Sequence, residues 1–414
     1  MLQALSALTR KTRTAVQQAT GRSRAAPPAA VQPGGLSSAL LGRLGRPLCD
    51  ETRELSECQA LLDWGRDLAR QDRWERLGTL IAQADGTRKT TFAGTPEAEL
   101  LAAGARSDLS RALDTASSAG ALSRGHRMFA GLQAMDDLVS EFAGDAGIAA
   151  VVALSHMDAG WAWYKQGWQR GRPEQHLDRF RAAFARAEEI LAPFADQAAG
   201  SPLIASTRCA LLAGQPGAEA HVVGAYETLI AQAPTVPGHM RAFGLHLLPC
   251  WFGSYAALDL AARRMAAATG ATWGCGAYAW VWFDALLQDR DAFAALDAEF
   301  LIEAIDDILT RHPDQHMVNL LAAFLSQILA RETGPDRSQR RLLEKMRNRL
   351  IRAEMTETHG WVWSLTDIGY ATPGSSHGGA RTDAETGAHH AWAALSTVLS
   401  RDLRRISTRP SPAP

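Results

Sequence analysis

The chain has 414 residues, of which 46% are apolar and 21% charged, a composition typical of a globular protein with ample material for a core. Its net charge of −1 argues against a nucleic-acid binder that relies on an overall basic surface. The sequence contains no uncharged apolar run of the roughly 18 residues that a transmembrane helix needs. Its five cysteines are scattered without a CxxC pair, which excludes a disulfide framework or zinc ribbon and fits a reducing compartment.

The amino-terminal segment is basic and contains no acidic residue before Asp50. Residues 1–48 are therefore predicted to be a basic flexible leader with, at most, one short amphipathic helix near its start. The same composition is typical of a transit peptide or of a membrane-surface tether, so membrane contact is expected only through residues 1–20. A disordered, solvated tail is the simpler interpretation.

From Asp50 onward the pattern alternates between helix and break, with almost no strand signal. Asp50 is expected to cap a helix that begins ETRELSEC, because apolar residues recur there at helical spacing. Roughly a dozen helices follow, joined by short loops. They begin at DRWERL, PEAELL, HRMFAG, IAAVVA and PEQHLD, and then cover Ala218–Ala233, His239–Leu248, Tyr255–Thr269, Trp273–Leu287, Asp297–Arg311, Gln315–Ala330 and Arg337–Glu354.

A weak internal repeat is visible in the middle of the chain. AYETLIAQAPTVPGHM and AIDDILTRHPDQHM both end one helix, place a proline in the turn and open the next helix with a His-Met step. The helix ends near Ala233, Thr269 and Arg311 are about 36 and 42 residues apart. These spacings lie close to the roughly 34-residue period of tetratricopeptide helical hairpins.

On these residues the chain resembles the tetratricopeptide (TPR-like) superfamily, over about 50–355 and most strongly over 200–330. It is also similar to bacterial TPR-like proteins with an LPxWxGSY segment, matched here by Leu248–Tyr255. The resemblance implies an all-α fold, an irregular TPR-like α-solenoid of helical hairpins, in a bacterial cytoplasm. It implies a concave surface that binds a protein or peptide. Peptide-clamping members use asparagines on their inner helices, and Asn319 is suitably placed.

Two aromatic stretches invite interpretation as a site. LPCWFGSY is predicted to be a corner between helices, in which Pro249 and Gly253 break the chain and Ser254 caps the next helix. TWGCGAYAWVWFD is predicted to be a buried helix capped by Thr272, because aromatic and small residues cover all of its faces. An aromatic ligand groove is the alternative, and its candidates are Trp251, Tyr255, Tyr278, Trp282 and Asn319. A metal or redox pair of Cys250 and Cys275 with His246 lacks a fourth ligand and a known spacing.

Three further patterns favour structure over chemistry. GWAWYKQGW places Trp161, Tyr164 and Trp168 on one helix face, for core packing or, second, for lining a groove. The His-rich segment from His377 to His390 matches no metal template and is expected to be a loop before a last helix. The acidic stretch Asp297–Asp307 and the basic stretch 337–352 are expected to pair with each other rather than to bind an external partner.

The sequence thus predicts a leader at 1–48, a helical array at 49–356, and a C-terminal loop, capping helix and disordered end at 357–414. The predicted function is noncatalytic binding of an unidentified protein or peptide, with no catalytic residue, no metal, no cofactor and no nucleic-acid partner. The alternatives are a membrane-surface adaptor and an (α/α)-toroid-like enzyme acting on carbohydrate. In that enzyme Asp284 or Glu357 would serve as acids, and the twelve tryptophans would bind sugar.

Overall fold

The fold is all-α, as predicted. A computed structural model describes residues 34–124, 126–171, 174–331, 337–364 and 384–400. Eighteen α-helices lie within these residues, together with two strands of two residues each. The described part of the chain has no helix long and apolar enough to cross a membrane. The helix predicted near residues 2–16, the His377 loop and the C-terminal end lie outside the described residues.

The described chain divides into two compact units. The central unit comprises residues 56–254, and the terminal unit combines the described residues before 56 with those after 254. The described residues of the central unit contain nine helices, and the first of them starts three residues before the unit boundary at residue 56. They are α2 Arg53–Arg70, α3 Trp74–Thr87, α4 Glu97–Ser118, α5 His126–Glu141, α6 Ala146–Gln169, α7 Glu174–Leu191, α8 Pro202–Leu211, α9 Val222–Gln232 and α10 Pro237–His246. Short 3₁₀ segments at Leu122–Arg124, Ala192–Ala199, Leu212–Gly214 and Ala218–Ala220 connect some of them.

Helix α6 lies at the centre of this unit. The side chain of Asp145 caps it by accepting a hydrogen bond from the Ile148 backbone N–H at 3.0 Å. Its sequence is apolar on nearly every face, and α3, α4, α5, α7 and α8 all pack against it. Because Asp158 on this helix is buried, it is paired with Arg106 of α4 and accepts a hydrogen bond from Ser110.

Glycines allow α2 and α4 to pack closely. A Cβ atom at Gly65 would lie closer than 3.0 Å to the Leu101 carbonyl oxygen, and one at Gly104 equally close to the Leu62 carbonyl oxygen. Since these neighbours are backbone atoms of the facing helix, no side-chain rotation would relieve the clash. The two glycines therefore set the distance between the helices.

The terminal unit contains the remaining helices. They are α1 Gly34–Arg43, α11 Tyr255–Ala268, α12 Gly270–Trp273, α13 Gly276–Gln288, α14 Ala298–Arg311, α15 Gln315–Arg331, α16 Arg337–Arg349, α17 Gly360–Ser364 and α18 Ala384–Val398, with a 3₁₀ segment at Asp291–Ala295 and a π-helical turn at Leu350–Glu354. Strands β1 Leu48–Cys49 and β2 Thr358–His359 pair in parallel. The N-terminal helix α1 packs on the C-terminal helix α18.

The aromatic helix α13 is a core element, as predicted, but it starts later than the sequence indicated. Tyr278, Trp280 and Trp282 are completely buried. Thr272 does not cap it. The chain turns at Gly274 with φ +61°, and the Cys275 backbone N–H and thiol both donate to Asp307 Oδ2, at 2.7 and 2.9 Å. This turn separates α12 from α13, because only glycine adopts a positive φ without strain.

Two other predictions about helix ends and charges have clear outcomes. Asp50 does not cap α2, whose first turn is capped instead by Thr52, which accepts from the Leu55 N–H at 3.3 Å. The acidic helix α14 and the basic helix α16 pack side by side, and Arg349 forms an ion pair with Asp306. The predicted internal pairing of these two segments is therefore confirmed.

Candidate functional site

An aromatic cavity of about 400 Å³ lies within the central unit. Residues of α4, α6, α8, α9 and α10 and of the corner after α10 line it. We call it the aromatic cavity, and the side chains used below are Asp114, Trp161, Tyr164, Lys165, Cys209, Ala210, Tyr226, His239, His246 and Trp251.

One wall is formed by the tryptophans of two segments that are distant in sequence. Trp161 and Tyr164 lie three residues apart on α6 and so share a face of the helix. The Trp161 and Trp251 rings meet edge to face, with 5.9 Å between their centroids. The Trp161 ring also packs edge to face with Phe184 of α7, with 5.7 Å between the centroids. The aromatic face of α6 therefore serves both roles considered from the sequence, core packing and cavity lining.

The corner LPCWFGSY brings Trp251 to this wall. The backbone folds back on the end of α10, so that Phe252 N–H donates to the His246 carbonyl at 3.0 Å. A Cβ atom at Gly253 would lie closer than 3.0 Å to the Leu247 carbonyl oxygen, which explains the need for glycine at this turn. The next helix, α11, begins at Tyr255 as predicted.

A hydrogen-bonded pair of neutral groups forms the polar part of the lining. Tyr226 Oη and His246 Nδ1 are 3.1 Å apart. Burial lowers the pKa of His246 to about 4 and raises the pKa of Tyr226 well above its usual range, because neither charged form would be solvated. At neutral pH the imidazole and the phenol are therefore both uncharged.

Cys209 and His239 are two further lining residues. Burial raises the pKa of the Cys209 thiol to about 12, so it is not a thiolate nucleophile at neutral pH. His239 is buried, and its Nε2 lies 3.1 Å from Glu99 Oε1. Its Nδ1 has no hydrogen-bond partner among the described residues. That atom is itself buried, so it is not accessible to a ligand in the cavity.

Charge is confined to an ion pair in the lining. Lys165 Nζ lies 3.7 Å from Asp114 Oδ1, and about half of the Lys165 side chain is exposed. Among the described lining residues, Asp114 is the only carboxylate. The cavity thus combines aromatic walls and neutral polar groups with one partly solvated ion pair.

Of the five sequence candidates, Trp251 lies in this cavity, and the other four belong to the terminal unit. Tyr278 and Trp282 are fully buried in the core. The hydroxyl groups of Tyr255 and Tyr278 donate to Asp289 and Asp259, each at 2.8 Å.

Asn319, the fifth candidate, is buried and serves as a structural clamp. Its side-chain amide donates to the carbonyls of Gln315 and Glu357, at 2.8 and 3.0 Å. Its side-chain oxygen accepts from the His359 N–H and from Trp363 Nε1, at 3.0 and 2.9 Å. All of the hydrogen-bonding capacity of this side chain is directed at its own unit.

The sequence reasoning missed Tyr226, Cys209 and His239 as cavity residues. They lie on three different helices and share no local motif, so no spacing in the sequence links them. The available signal was that Trp251 lies within the proline–glycine corner Leu248–Tyr255, five residues after His246.

The cysteine and histidine candidates for a metal or redox site do not form a group. His246 and Cys250 belong to the central unit and Cys275 to the terminal unit, where its thiol bonds Asp307. In the C-terminal segment, His390 Nδ1 lies 3.2 Å from the Trp363 carbonyl oxygen. A different group in the terminal unit, Cys49, Glu357 and His359, has metal-binding donors.

Comparison with known proteins adds no assignment: no protein-family model, curated protein or solved structure matches the chain. The TPR-like resemblance stays a prediction, and the function must be argued from the geometry of the aromatic cavity.

Proposed function

We propose that the protein is a noncatalytic binding module built on TPR-like helical hairpins, and that the aromatic cavity receives an aromatic or branched apolar side chain of a protein or peptide partner. The observation that carries this proposal is the cavity itself, with its tryptophan wall and its uncharged polar lining. As expected from the sequence, such a protein would act in a bacterial cytoplasm.

The size of the cavity suits an anchoring side chain. Its volume of about 400 Å³ is at the lower end of the range of roughly 300–1,000 Å³ typical of ligand sites. A phenylalanine or tryptophan side chain buries about 150–250 Å², which at about 25 cal/mol per Å² corresponds to roughly 4–6 kcal/mol before the entropy of association is subtracted. A single anchor of this kind is what dominates many peptide interfaces.

The electrostatics favour an uncharged group. A charged side chain would lose its hydration against His246, Tyr226 and Cys209, which are neutral at pH 7. The partly exposed Lys165–Asp114 pair is suited to the polar backbone that flanks the anchor.

The lining also argues against the carbohydrate-hydrolase alternative at this cavity. Glycoside hydrolysis requires two carboxyl groups about 5–9.5 Å apart, whereas Asp114 is the single carboxylate among the described lining residues and faces Lys165. The sequence candidates for that reaction, Asp284 and Glu357, belong to the terminal unit. The membrane-adaptor alternative depends on residues 1–20, outside the described residues.

The proposal is tested by selecting peptides from a random displayed library on the full-length protein and on the Ala210→Phe variant. Ala210 lines the cavity, and a phenylalanine ring there fills space that the ligand would occupy. Ala182→Phe is the matched control, because Ala182 is exposed on α7 of the same unit. Both variants are first shown to unfold at the temperature of the unmodified protein.

We expect the selected peptides to share an aromatic or branched apolar residue and to bind Ala210→Phe at least about tenfold more weakly, a loss of about 1.4 kcal/mol or more. The Ala182→Phe control should bind as the unmodified protein does. Selected peptides that lack such a residue would refute the proposal. So would peptides that bind Ala210→Phe and Ala182→Phe with equal affinity. Binding of small aromatic compounds alone, with no peptide selected, would identify the site as a small-molecule pocket instead.

A further inference from the structure

The short parallel ladder of the terminal unit brings a cysteine and a histidine together. Strands β1 and β2 pair Leu48 with Thr358 and Cys49 with His359. Directly paired residues of neighbouring strands point their side chains to the same face of a sheet. A thiol and an imidazole, 310 positions apart in the sequence, therefore lie side by side.

A carboxylate completes the group. Glu357 Oε1 lies 2.9 Å from His359 Nε2. One donor atom from each of Cys49, Glu357 and His359 lies within 4.8 Å of the other two. Buried His359 also has an Nδ1 without a hydrogen-bond partner among the described residues. The thiol of Cys49, the carboxylate of Glu357 and the buried imidazole of His359 thus place a sulfur, an oxygen and a nitrogen donor close together.

The backbone under these donors is held by specific hydrogen bonds. Thr358 N–H donates to the Pro47 carbonyl at 2.9 Å, and the Thr358 hydroxyl donates to the Arg46 carbonyl at 3.1 Å. On the other side, Asn319 accepts from the His359 N–H and donates to the Glu357 carbonyl, at 3.0 Å each. The backbone that carries the donor side chains is thus held in place by the fold, as binding sites require.

We propose that Cys49, Glu357 and His359 form a divalent metal site, with zinc as the expected ion. Zinc binds thiolate, imidazole and carboxylate ligands at about 2.0–2.3 Å, which places neighbouring ligand atoms roughly 3.3–3.8 Å apart in a tetrahedral site. The three donor atoms lie within 4.8 Å of one another, so side-chain rotations that move each atom by about an ångström bring them to this spacing. Since Cys49 and Glu357 are partly exposed, water takes the fourth position.

Metal binding here has a structural consequence. The ion would tie the N-terminal strand to a segment near the C-terminal end of the chain, so it would stabilise the folded terminal unit in proportion to its occupancy. The inference does not depend on the aromatic cavity, which belongs to the other unit.

The test is titration of the full-length, metal-stripped protein with Co²⁺ under reducing conditions, followed by displacement with Zn²⁺. Cobalt bound to a thiolate gives a charge-transfer absorption that reports cysteine ligation directly. Three variants are compared with the unmodified protein: Cys49→Ser, Glu357→Gln and, as the matched control, Cys250→Ser. Cys250 is also a partly exposed cysteine, but it lies in the central unit.

We expect a charge-transfer band that saturates at one Co²⁺ per chain, is abolished in Cys49→Ser and is unchanged in Cys250→Ser. Glu357→Gln should bind at least about tenfold more weakly, since loss of even an indirect partner costs about 10–100-fold in affinity. Zinc should displace the cobalt and raise the unfolding temperature of the unmodified protein more than that of Cys49→Ser. Absence of the band, its persistence in Cys49→Ser, or unaltered affinity in Glu357→Gln would overturn the proposal.

Discussion

The buried ion pair between Arg106 and Asp158 gives a sharp prediction for the stability of the central unit. The two side chains are only 5% and 1% exposed, and Asp158 Oδ1 and Arg106 Nε have no hydrogen-bond partner among the described residues. Asp158→Leu would leave the guanidinium group buried without its counter-charge. We expect this single substitution to lower the free energy of unfolding by about 3–5 kcal/mol, a large share of the roughly 5–15 kcal/mol typical of a folded domain.

The double variant Arg106→Met/Asp158→Leu separates the loss of the charge from the loss of packing. Because the pair is incompletely hydrogen-bonded, its replacement by apolar side chains should recover most of the stability that the single variant loses. Unfolding is followed in urea by tryptophan fluorescence, with Trp161 and Trp163 on the same helix as Asp158. Since the chain has two units, hydrogen exchange of α6 amides serves as the local measurement.

Asp108→Leu is the control for this experiment. Asp108 lies on α4, as Arg106 does, and receives two hydrogen bonds from Arg70, at 2.6 and 2.8 Å, but the Arg70 and Asp108 side chains are both about half exposed to solvent. Its loss should change stability far less than that of Asp158, because water screens an exposed pair. The reasoning would be refuted by equal losses in Asp158→Leu and Asp108→Leu, or by a double variant no more stable than Asp158→Leu.

Three further predictions concern single positions. Burial lowers the pKa of His246 from 6.5 to about 4, so the unfolded chain protonates this imidazole at a higher pH than the folded chain does. The contribution of neutral His246 to stability is therefore complete above pH 6.5 and is lost as the pH falls towards 4, a loss of at most about 3 kcal/mol. The stability difference between the unmodified protein and His246→Leu should change with pH only in that window. Gly104→Ala should destabilise the protein by about 1–3 kcal/mol in urea unfolding, since the new Cβ meets the Leu62 carbonyl oxygen. Gly86→Ala has open space around the new Cβ and should stabilise the protein by about 0.5–1 kcal/mol. Equal effects of the two substitutions would contradict the close packing of α2 and α4. Asn319→Leu should lower the unfolding temperature and speed hydrogen exchange at the His359 amide, and unaltered exchange would contradict the clamp.

How much of this fold could be predicted depends on the range of the interactions. Periodicity and composition are local, so the all-α class, the burial of Trp280 and the start of α11 at Tyr255 follow from short stretches. The first turn of α13 was placed too early because the break at Gly274 is reinforced by Asp307, a residue of the next helix. A cap from a distant side chain leaves no local signal.

The candidate site was predictable only in part, for the same reason. Trp251 was a candidate for a ligand groove, and Trp161 was expected to pack in the core or, second, to line a groove, but their meeting at one cavity is a tertiary contact. The pairing of Cys49 with His359 depends on strands too short to give a sequence pattern. Separate histidines, tyrosines and cysteines become a site only when the fold brings them together.

The central claim, that the aromatic cavity is a binding site, is tested most directly by isothermal titration of one selected aromatic peptide into the unmodified protein, Ala210→Phe and Ala182→Phe. Our account predicts one peptide per chain, a negative heat-capacity change from apolar burial, and affinity reduced at least about tenfold in Ala210→Phe alone. Equal affinity for all three proteins would contradict it.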